Sequence, residues 1–567
     1  MRRRARHRAA LVTAVGLVAV GTALPASAGF RAGLAASCDT PATHQIADVQ
    51  GPGDATPIAG QAVRVAGIVT GDFQGTDQLS GFYVQDPTPD ADPATSDGLF
   101  VFSTLVAAVG DRVLVSGTAT EFNGLTELTQ VTAVDVCGSG TIQPAVQRLP
   151  RAEGTTFEPL ENVLVTFPER LTATEHFQLG RFGEVTVSSG ERLFQPTDGH
   201  GGTQSLNDRR RLLIDDGSTR QNPASVPFTS PEVLRLGDTV TGLTGVLGFG
   251  FNLYRLQPTK PVTFTRTNPR PAAPAPVGGT VRVASFNTLN WFTTLGRRGA
   301  STAEERDRQL AKLVSALKGL DADVVGLMEV ENNGDGAVGE LVSALNAELG
   351  AGTYAWARHP LPGTDEIHVA LIYKPKKVRP VGSARSSDEP VFERPPLVQT
   401  FMRKPGGRSF TMIVNHFKSK GCDGATGPDA DQGDGQSCFN ARRVTQAQAI
   451  ARLAKTVVNP LVLGDLNAYT DEDPIHTLEQ GGLIEQSTRF VPPAKRYSFV
   501  FDGQAGELDH VLAGRTLSRH VTGVSIWHIN SDEPLILDYN TEFNPPGLYA
   551  PDAYRSSDHD PVVVGLR

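Results

Sequence analysis

The chain has 567 residues, 39% of them hydrophobic and 20% charged, and carries a formal net charge of −9. That length is too great for one core and points to several domains, while plentiful Gly and Pro (59 and 39) favour turn-rich β structure and linkers over helical bundles. The acidic balance argues against tight, salt-dependent binding along a nucleic-acid backbone, but not against a phosphate substrate held by metal ions and a local Arg/Lys cluster.

The chain opens with "MRRRARHRAA", then the apolar run "LVTAVGLVAVGTAL" and "PASA". A charged region, an apolar region and an Ala26-x-Ala28 cleavage motif predict a signal peptide over residues 1–28. The run is shorter than the ~20 apolar residues a membrane span needs, and no other such run follows. The mature protein is expected to be secreted and extracellular, without a membrane anchor, and more acidic once these arginines are lost. The four cysteines fit an oxidising compartment and lack any CxxC spacing. They are expected to pair locally, Cys38 with Cys137 and Cys422 with Cys438. The second bridge would close "CDGATGPDADQGDGQSC" and stabilise that Gly/Asp-rich loop by roughly 3 kcal/mol.

Three segments of the N-terminal half resemble one another: "GQAVRVAGIVTGDFQG" (60–75), "GDRVLVSGTATEFNG" (110–124) and "GDTVTGLTGVLGFGFN" (237–252). Each alternates apolar and polar residues and ends in a Gly-containing turn. This pattern predicts two small all-β, OB-like modules, 29–143 and 144–267. "NPRPAAPAPVGGT" (268–280) reads as a semi-rigid, Pro-rich linker.

Beyond it, over 281–567, strands alternate with amphipathic helices. "VRVASFN" is a strand. A helix over 303–318 places Leu310, Leu313, Val314 and Leu317 on one face, with a capping box from Ser301 and Glu304 or from Thr302 and Glu305. "DVVGLMEV" is the next strand, and Val338, Leu341, Val342, Leu345 and Leu349 mark a second helix. The strands "HVALIYK", "FTMIVNHF", "LVLGDLN", "LDHVLAG" and "PVVVGL" complete a layered domain with a large core.

Polar groups recur where these strands stop: Asn287, Glu329, His416, Asp465 and Asn467, Asp509, and the pair Asp558 and His559 ahead of the last strand. Each alone is ordinary turn chemistry or a capping group. Together they are a set of hard oxygen ligands, suited to Mg²⁺ or Ca²⁺ rather than zinc, with Mg²⁺ or Mn²⁺ expected as the catalytic ion and two histidines able to exchange protons near neutral pH. Such a set fits phosphoester hydrolysis.

The ordered motifs "MEVEN", "NHFKSK", "LGDLNAY", "LDHVL" and "SSDHDP" resemble the endonuclease/exonuclease/phosphatase superfamily, which includes deoxyribonuclease I and exonuclease III. The upstream segments, with "CFNARR" and "DYNTEFNPPGLYAPDAYRSSDHDP", are similar to secreted bacterial extracellular endonucleases of the ExeM/NucH type. The resemblance implies an α+β catalytic domain, a four-layer α/β sandwich of the deoxyribonuclease I-like kind, acting on DNA, with RNA as the alternative substrate. It implies metal binding by Glu329 and Asp558, with Asn287 close by. It implies catalytic roles for His559 paired with Asp509, for His416, and for Asp465 and Asn467, leaving open whether His559 or Asp465 takes the proton from water. His368 stands where relatives carry Lys or Arg. With Arg443 and Lys418 it is a candidate contact to substrate phosphate. The loops 86–98 and 429–435 are rich enough in Asp to suggest structural Ca²⁺, though neither has full EF-hand spacing. No obligate protein partner is inferred. A phosphoesterase acting on phospholipids or nucleotides, and an inactive secreted DNA-binding or matrix protein, are the rival readings.

Overall fold

A computed structural model of the chain describes residues 38–230 and 232–567. The predicted signal peptide lies outside the described residues. Five strands, Ala62–Phe73, Gly81–Gln85, Gly98–Phe102, Asp111–Phe122 and Leu125–Ser139, close into a barrel in the order first, second, third, fifth, fourth. The third and fifth run parallel. Alternating residues such as Val63, Val65, Val113 and Val115 fill its interior, as period-two burial requires. The Cys38–Cys137 bridge, with its Cα atoms 5.7 Å apart, fastens the start of the described chain to the last strand.

The next module repeats that order. Its strands Leu164–Glu175, Val185–Ser189, Arg211–Ile214, Thr239–Gly250 and Leu253–Pro258 pair in the same permutation, again with the third and fifth parallel and the first and fourth closing the circuit. In both modules the hairpin between fourth and fifth strands has a two-residue turn, Asn123-Gly124 and Phe251-Asn252. All four turn residues have positive φ, the conformation that lets a two-residue turn follow the strand twist.

The C-terminal half contains two six-stranded mixed sheets. One runs Ala355–Trp356, Ile367–Tyr373, Val324–Glu331, Val281–Trp291, Val562–Leu566, Val521–Ile526; the other runs Val378–Arg385, Leu397–Arg403, Ser409–His416, Pro460–Asp465, Asp509–Gly514, Leu483–Glu485. Val283, Val324, Met412, Leu461, Val511 and Val564 pack between them. The helices Ala303–Leu320 and Gly336–Leu349 cover the outer face of the first sheet through Leu313, Leu317, Leu341 and Leu345. The helix Asn440–Ala454 covers the second through Ala447 and Ile450. The layers are therefore helix, sheet, sheet, helix. Of the two possible capping boxes, Thr302 and Glu305 form the one at the first helix.

The Pro-rich segment is not a spacer. It is a strap laid along the C-terminal domain: the Pro271 carbonyl accepts from Trp527 Nε1 at 3.0 Å and Tyr554 Oη at 3.3 Å, and Val277 is buried in the core. Prolines fix an extended path; here that path stays largely exposed but is pinned to the domain at Pro271 and at the buried Val277. The second module is likewise docked. Its strand Leu193–Phe194 joins the hairpin Phe499–Phe501 and Gln504–Gly506 in one three-stranded sheet, and Ile536 and Leu537 enter its core.

Candidate active site

Two strands that end the apolar interior of the sandwich bring the first acids together. Pairing between Val281–Trp291 and Val324–Glu331 becomes irregular after Asn287, and pairing with Ile367–Tyr373 slips between Leu327 and Val330. Glu329 sits in that slip with φ 60°. Bulges of this kind re-aim side chains at sheet edges. Asn287 Nδ2 lies 3.2 Å from Glu329 Oε1 and 3.3 Å from Asp465 Oδ2, while the Asn290 backbone N–H donates to Glu329 Oε2 at 3.0 Å.

Asp465 reaches the same place from the second sheet. The preceding Gly464 has φ 133°, and a Cβ there would lie 1.9 Å from the Asn415 carbonyl oxygen, so only glycine lets the two strands approach this closely. Asp465 Oδ1 accepts from the Asn467 backbone N–H at 2.9 Å. Its Oδ2 lies 3.4 Å from His416 Nε2 and 3.9 Å from His559 Nε2. Asn467, in left-handed conformation, donates its side chain to the Phe417 carbonyl.

His559 approaches from the turn before the last strand. Its Nδ1 donates to Asp509 Oδ2 at 2.7 Å, and its ring stacks on Phe499 with centroids 4.6 Å apart. Asn530 shapes that turn: its Oδ1 accepts from the Ser556 and Ser557 backbone, and its Nδ2 donates to the His559 carbonyl at 2.6 Å. Asp560 is buried and accepts from the backbone N–H of Asn530 and Ser531 and from His528 Nδ1. It anchors the turn.

The electrostatics follow from burial. Burial raises the Glu329 carboxyl, and the charge of Asp558 raises it further. Burial pushes Asp465 up to about 7 in spite of His559, with Asp509 adding to the rise. Buried carboxylates this crowded call for a cation. Glu329, His416 and Asp465 all present ligand atoms within 4.8 Å of one another. The oxygens of Glu329, Asp465 and Asn287 suit a hard divalent ion. His416 is held well below its ordinary value by burial, and the Arg394 cation adds to this. Burial would depress His559 too, but Asp509 and Asp465 outweigh it and hold the imidazole well above its ordinary value.

A second buried cluster joins Glu485, Glu507 and His510. Here His510 faces acceptors on both nitrogens, Glu485 Oε2 at 3.2 Å and the Ala468 carbonyl at 2.8 Å. Burial opposes its protonation, yet the hydrogen bond to Glu485 and the charge of Glu507 push it up to about 10. The imidazolium itself balances these acids.

The three candidate phosphate contacts are placed differently. Arg443 is fully buried, and its guanidinium donates to the carbonyls of Cys438 at 2.8 Å and Gln436 at 2.8 Å. It braces the loop closed by Cys422–Cys438 rather than facing the crevice, because a desolvated guanidinium takes up whatever carbonyls surround it. Lys418 pairs with Glu393 at 3.1 Å. His368 is buried on its strand beside His359, ring centroids 5.8 Å apart, and burial holds it at about 4, so it carries no positive charge at neutral pH. The cation nearest the acids is Arg394, buried, which donates to the Phe417 carbonyl at 2.5 Å, pairs with Asp365 at 3.7 Å and senses the charges of Asp365, Asp465 and Glu329. It follows "FE" and precedes two prolines in an irregular segment, with no strand-end signal to mark it. In the loops 86–98 and 429–435 the Asp side chains accept from backbone N–H groups two residues on, as in Asx turns.

Residues 283–559 match the family described as Endonuclease/Exonuclease/phosphatase family, and residues 139–268 match one described as Domain of unknown function (DUF8508). No curated protein matches the chain. Among solved structures, an endonuclease/exonuclease/phosphatase family protein from Bacteroides thetaiotaomicron is similar at 15% identity and TM-score 0.34, over 50% of this chain and 96% of its own. A mannosyl-6-phosphatase of the same organism is similar at 15% identity and TM-score 0.34, over 51% and 99%. TDP2 of D. rerio, complexed with a single strand DNA product, is similar at 13% identity and TM-score 0.33, over 50% and 97%.

Proposed function

From the premise that residues 283–559 form an endonuclease/exonuclease/phosphatase-family domain, whose name-giving activities all break phosphoester bonds, we propose that this protein is a secreted, divalent-metal-dependent endonuclease that hydrolyses phosphodiester bonds of extracellular DNA, with RNA as the alternative polymer. The observation that carries this reading is that Asp465 Oδ2 faces Asn287, His416 and the Asp509-held His559 at 3.3, 3.4 and 3.9 Å, with a Glu329 ligand atom in the same group.

Glu329 and Asp465, with Asn287 and Asp558 beside them, would hold Mg²⁺ or Mn²⁺. When bound, the ion supplies charge stabilisation to the reacting phosphate. Asp465 takes the proton from the attacking water, and Asn467 fixes its loop. His559, held protonated and in one orientation by Asp509, donates Nε2–H to a phosphate oxygen. His416, kept neutral, offers only an N–H hydrogen bond to the leaving oxygen, which takes its proton from solvent water. Arg394 adds a fixed positive charge beside the developing negative one.

Arg297, Arg298 and Arg358 are 63%, 41% and 86% exposed, and Arg298 is near enough for its charge to lower His416. Each is paired with an acid, Glu366, Asp365 and Asp335 in turn, so a phosphate backbone would have to exchange with those carboxylates. We read the two N-terminal modules, which share one strand order with parallel third and fifth strands, as OB-like barrels. The two disulfides agree with export through a signal peptide over residues 1–28. Among the described residues, no helix is long and apolar enough to cross a membrane.

The test is a side-by-side assay with Mg²⁺ of plasmid DNA, single-stranded DNA, RNA, a phosphomonoester and phospholipid vesicles. Internal cleavage of nucleic acid, abolished by EDTA, is expected. Release of phosphate from the monoester or lipid alone would replace this reading with a small-substrate phosphoesterase.

A further inference from the structure

The acids Asp532 and Glu533 are fully buried in the C-terminal domain, yet cations that neutralise them come from outside it. Arg192 and Arg235 of the second β module and Arg270 of the strap reach them at 2.7 Å, 2.8 Å and 2.7 Å. A buried carboxylate without such partners is strongly unfavourable. The Asp532 carboxyl, which burial alone would raise, is held far below its ordinary range by Arg192 and Arg235.

From Asp532 the contacts lead to the catalytic turn. Tyr497 Oη donates to Asp532 Oδ2 at 3.0 Å, and the Arg192 guanidinium lies over the Tyr497 ring, 4.2 Å from its centroid. Tyr497 stacks on His528 with centroids 4.0 Å apart. His528 Nδ1 donates to Asp560 Oδ2 at 2.8 Å, and Asp560 follows His559 directly.

Two further struts run in parallel with this one. The strand Leu193–Phe194, next to Arg192 in sequence, pairs with Gln504 and Ala505. These belong to the hairpin whose Phe499 stacks on His559, and Ser498, before Phe499, accepts from the Asp509 backbone N–H at 3.0 Å through Oγ. Asp198 of the same module accepts from the backbone N–H of Glu507 at 3.0 Å and of Thr470 at 3.3 Å. Those residues lie two positions from Asp509 and three from Asn467. The hairpin and the Thr470 and Glu507 backbone are thus each continuous with a residue of the site.

We propose that the second β module is a working part of the active site, and that Arg192 is a positioning residue that fixes the His559 turn through Asp532, Tyr497 and His528. This rests on the nuclease reading for the reaction but not for the geometry, so two readouts are needed. The full-length chain and its Arg192→Ala, Arg192→Lys and Tyr497→Phe variants are compared in plasmid nicking with Mg²⁺, and in the rate at which diethyl pyrocarbonate modifies His559, followed by peptide mass spectrometry. Arg148→Ala, an exposed change in the same module, is the control.

Arg192→Ala should lower kcat by about 10²-fold with KM little changed, as expected when a reacting group is displaced by about 1 Å. Arg192→Lys should recover part of the loss, and modification of His559 should be several-fold faster in Arg192→Ala than in the parent or the control. Parental kcat and parental modification rate in folded Arg192→Ala would overturn the proposal. If Arg192→Ala does not fold, parental values in both Arg192→Lys and Tyr497→Phe overturn it. A parent inactive on every phosphoester would refute the nuclease reading instead, and the modification rates would then decide the positioning role alone.

Discussion

His559 and Asp509 come from opposite sheets of the sandwich, fifty positions apart in sequence, and meet through a 2.7 Å hydrogen bond from Nδ1 to Oδ2. Asp509 begins a strand of one sheet, and His559 lies just before a strand of the other. The pair closes the crevice only when both sheets are packed. Asp509→Asn keeps the shape but removes the charge that fixes the imidazole. We expect kcat to fall by about 10²-fold or more, with the thermal midpoint little changed. Initial nicking rates measure this, and a folded variant within a few-fold of the parent would dissociate Asp509 from the chemistry.

The structure makes Arg443 a loop brace, which separates it from the substrate. Arg443→Met should leave the carbonyls of Cys438 and Gln436 without their donor, at a cost of about 1–3 kcal/mol, and should leave KM unchanged. Replacing Cys422 and Cys438 together by Ser should destabilise the same loop by about 3 kcal/mol. Because both changes act on one segment, the triple variant should lose less than their sum. Denaturant titration measures all three. A raised KM at parental stability in Arg443→Met would return this side chain to the substrate.

Positions that interrupt an apolar run could be read directly from the sequence. Asn287, Glu329, His416 and Asp465 each do so, and the packing of two such strands face to face accounts for their nearness. Arg394 and Asn530 could not be read in this way. Both act from irregular segments whose paths depend on docking against other loops, and nothing local distinguishes them from ordinary turn residues. The Pro-rich strap misled for a related reason. Proline composition encodes an extended backbone, but whether that backbone hangs free or is pinned to a domain depends on distant partners such as Trp527 and Tyr554. Arg443 misled in the opposite sense: a guanidinium in a Gly/Asp-rich neighbourhood looks available until the loop folds over it.

The junction between the second module and the C-terminal domain should be acid-labile. His176 is buried, with Nε2 3.0 Å from the Asp532 carbonyl, and burial holds it at about 3 despite that contact. Unfolded histidine titrates near ~6.5. The unfolded chain therefore binds a proton that the folded chain refuses, and stability falls as pH drops from about 6.5 towards 3, at roughly 1.4 kcal/mol per pH unit from this group. His176→Gln keeps a donor and removes the titration. Unfolding midpoints at several pH values between 5 and 7.5 should show a shallower acid slope in the variant, and identical slopes would contradict this.

Phe251 occupies a left-handed turn position, with φ 52°, and is 85% exposed. A bulky residue is disfavoured in that conformation and gains no burial in return. Replacing Phe251-Asn252 by Asn-Gly, a pair suited to such turns, should raise stability by roughly 0.5–1 kcal/mol without altering nicking. An unchanged or lowered thermal midpoint would show that the Arg255 guanidinium, 5.4 Å from the ring centroid, offsets its strain.

The measurement that bears most directly on the account is plasmid nicking with Mg²⁺ by the full-length protein and by His559→Ala, each with its fold checked by circular dichroism. The account predicts that the parent converts supercoiled DNA to open circles, that EDTA abolishes this, and that folded His559→Ala is slower by about 10²- to 10⁴-fold. Comparable nicking by parent and variant would contradict the assignment of this crevice as the catalytic site.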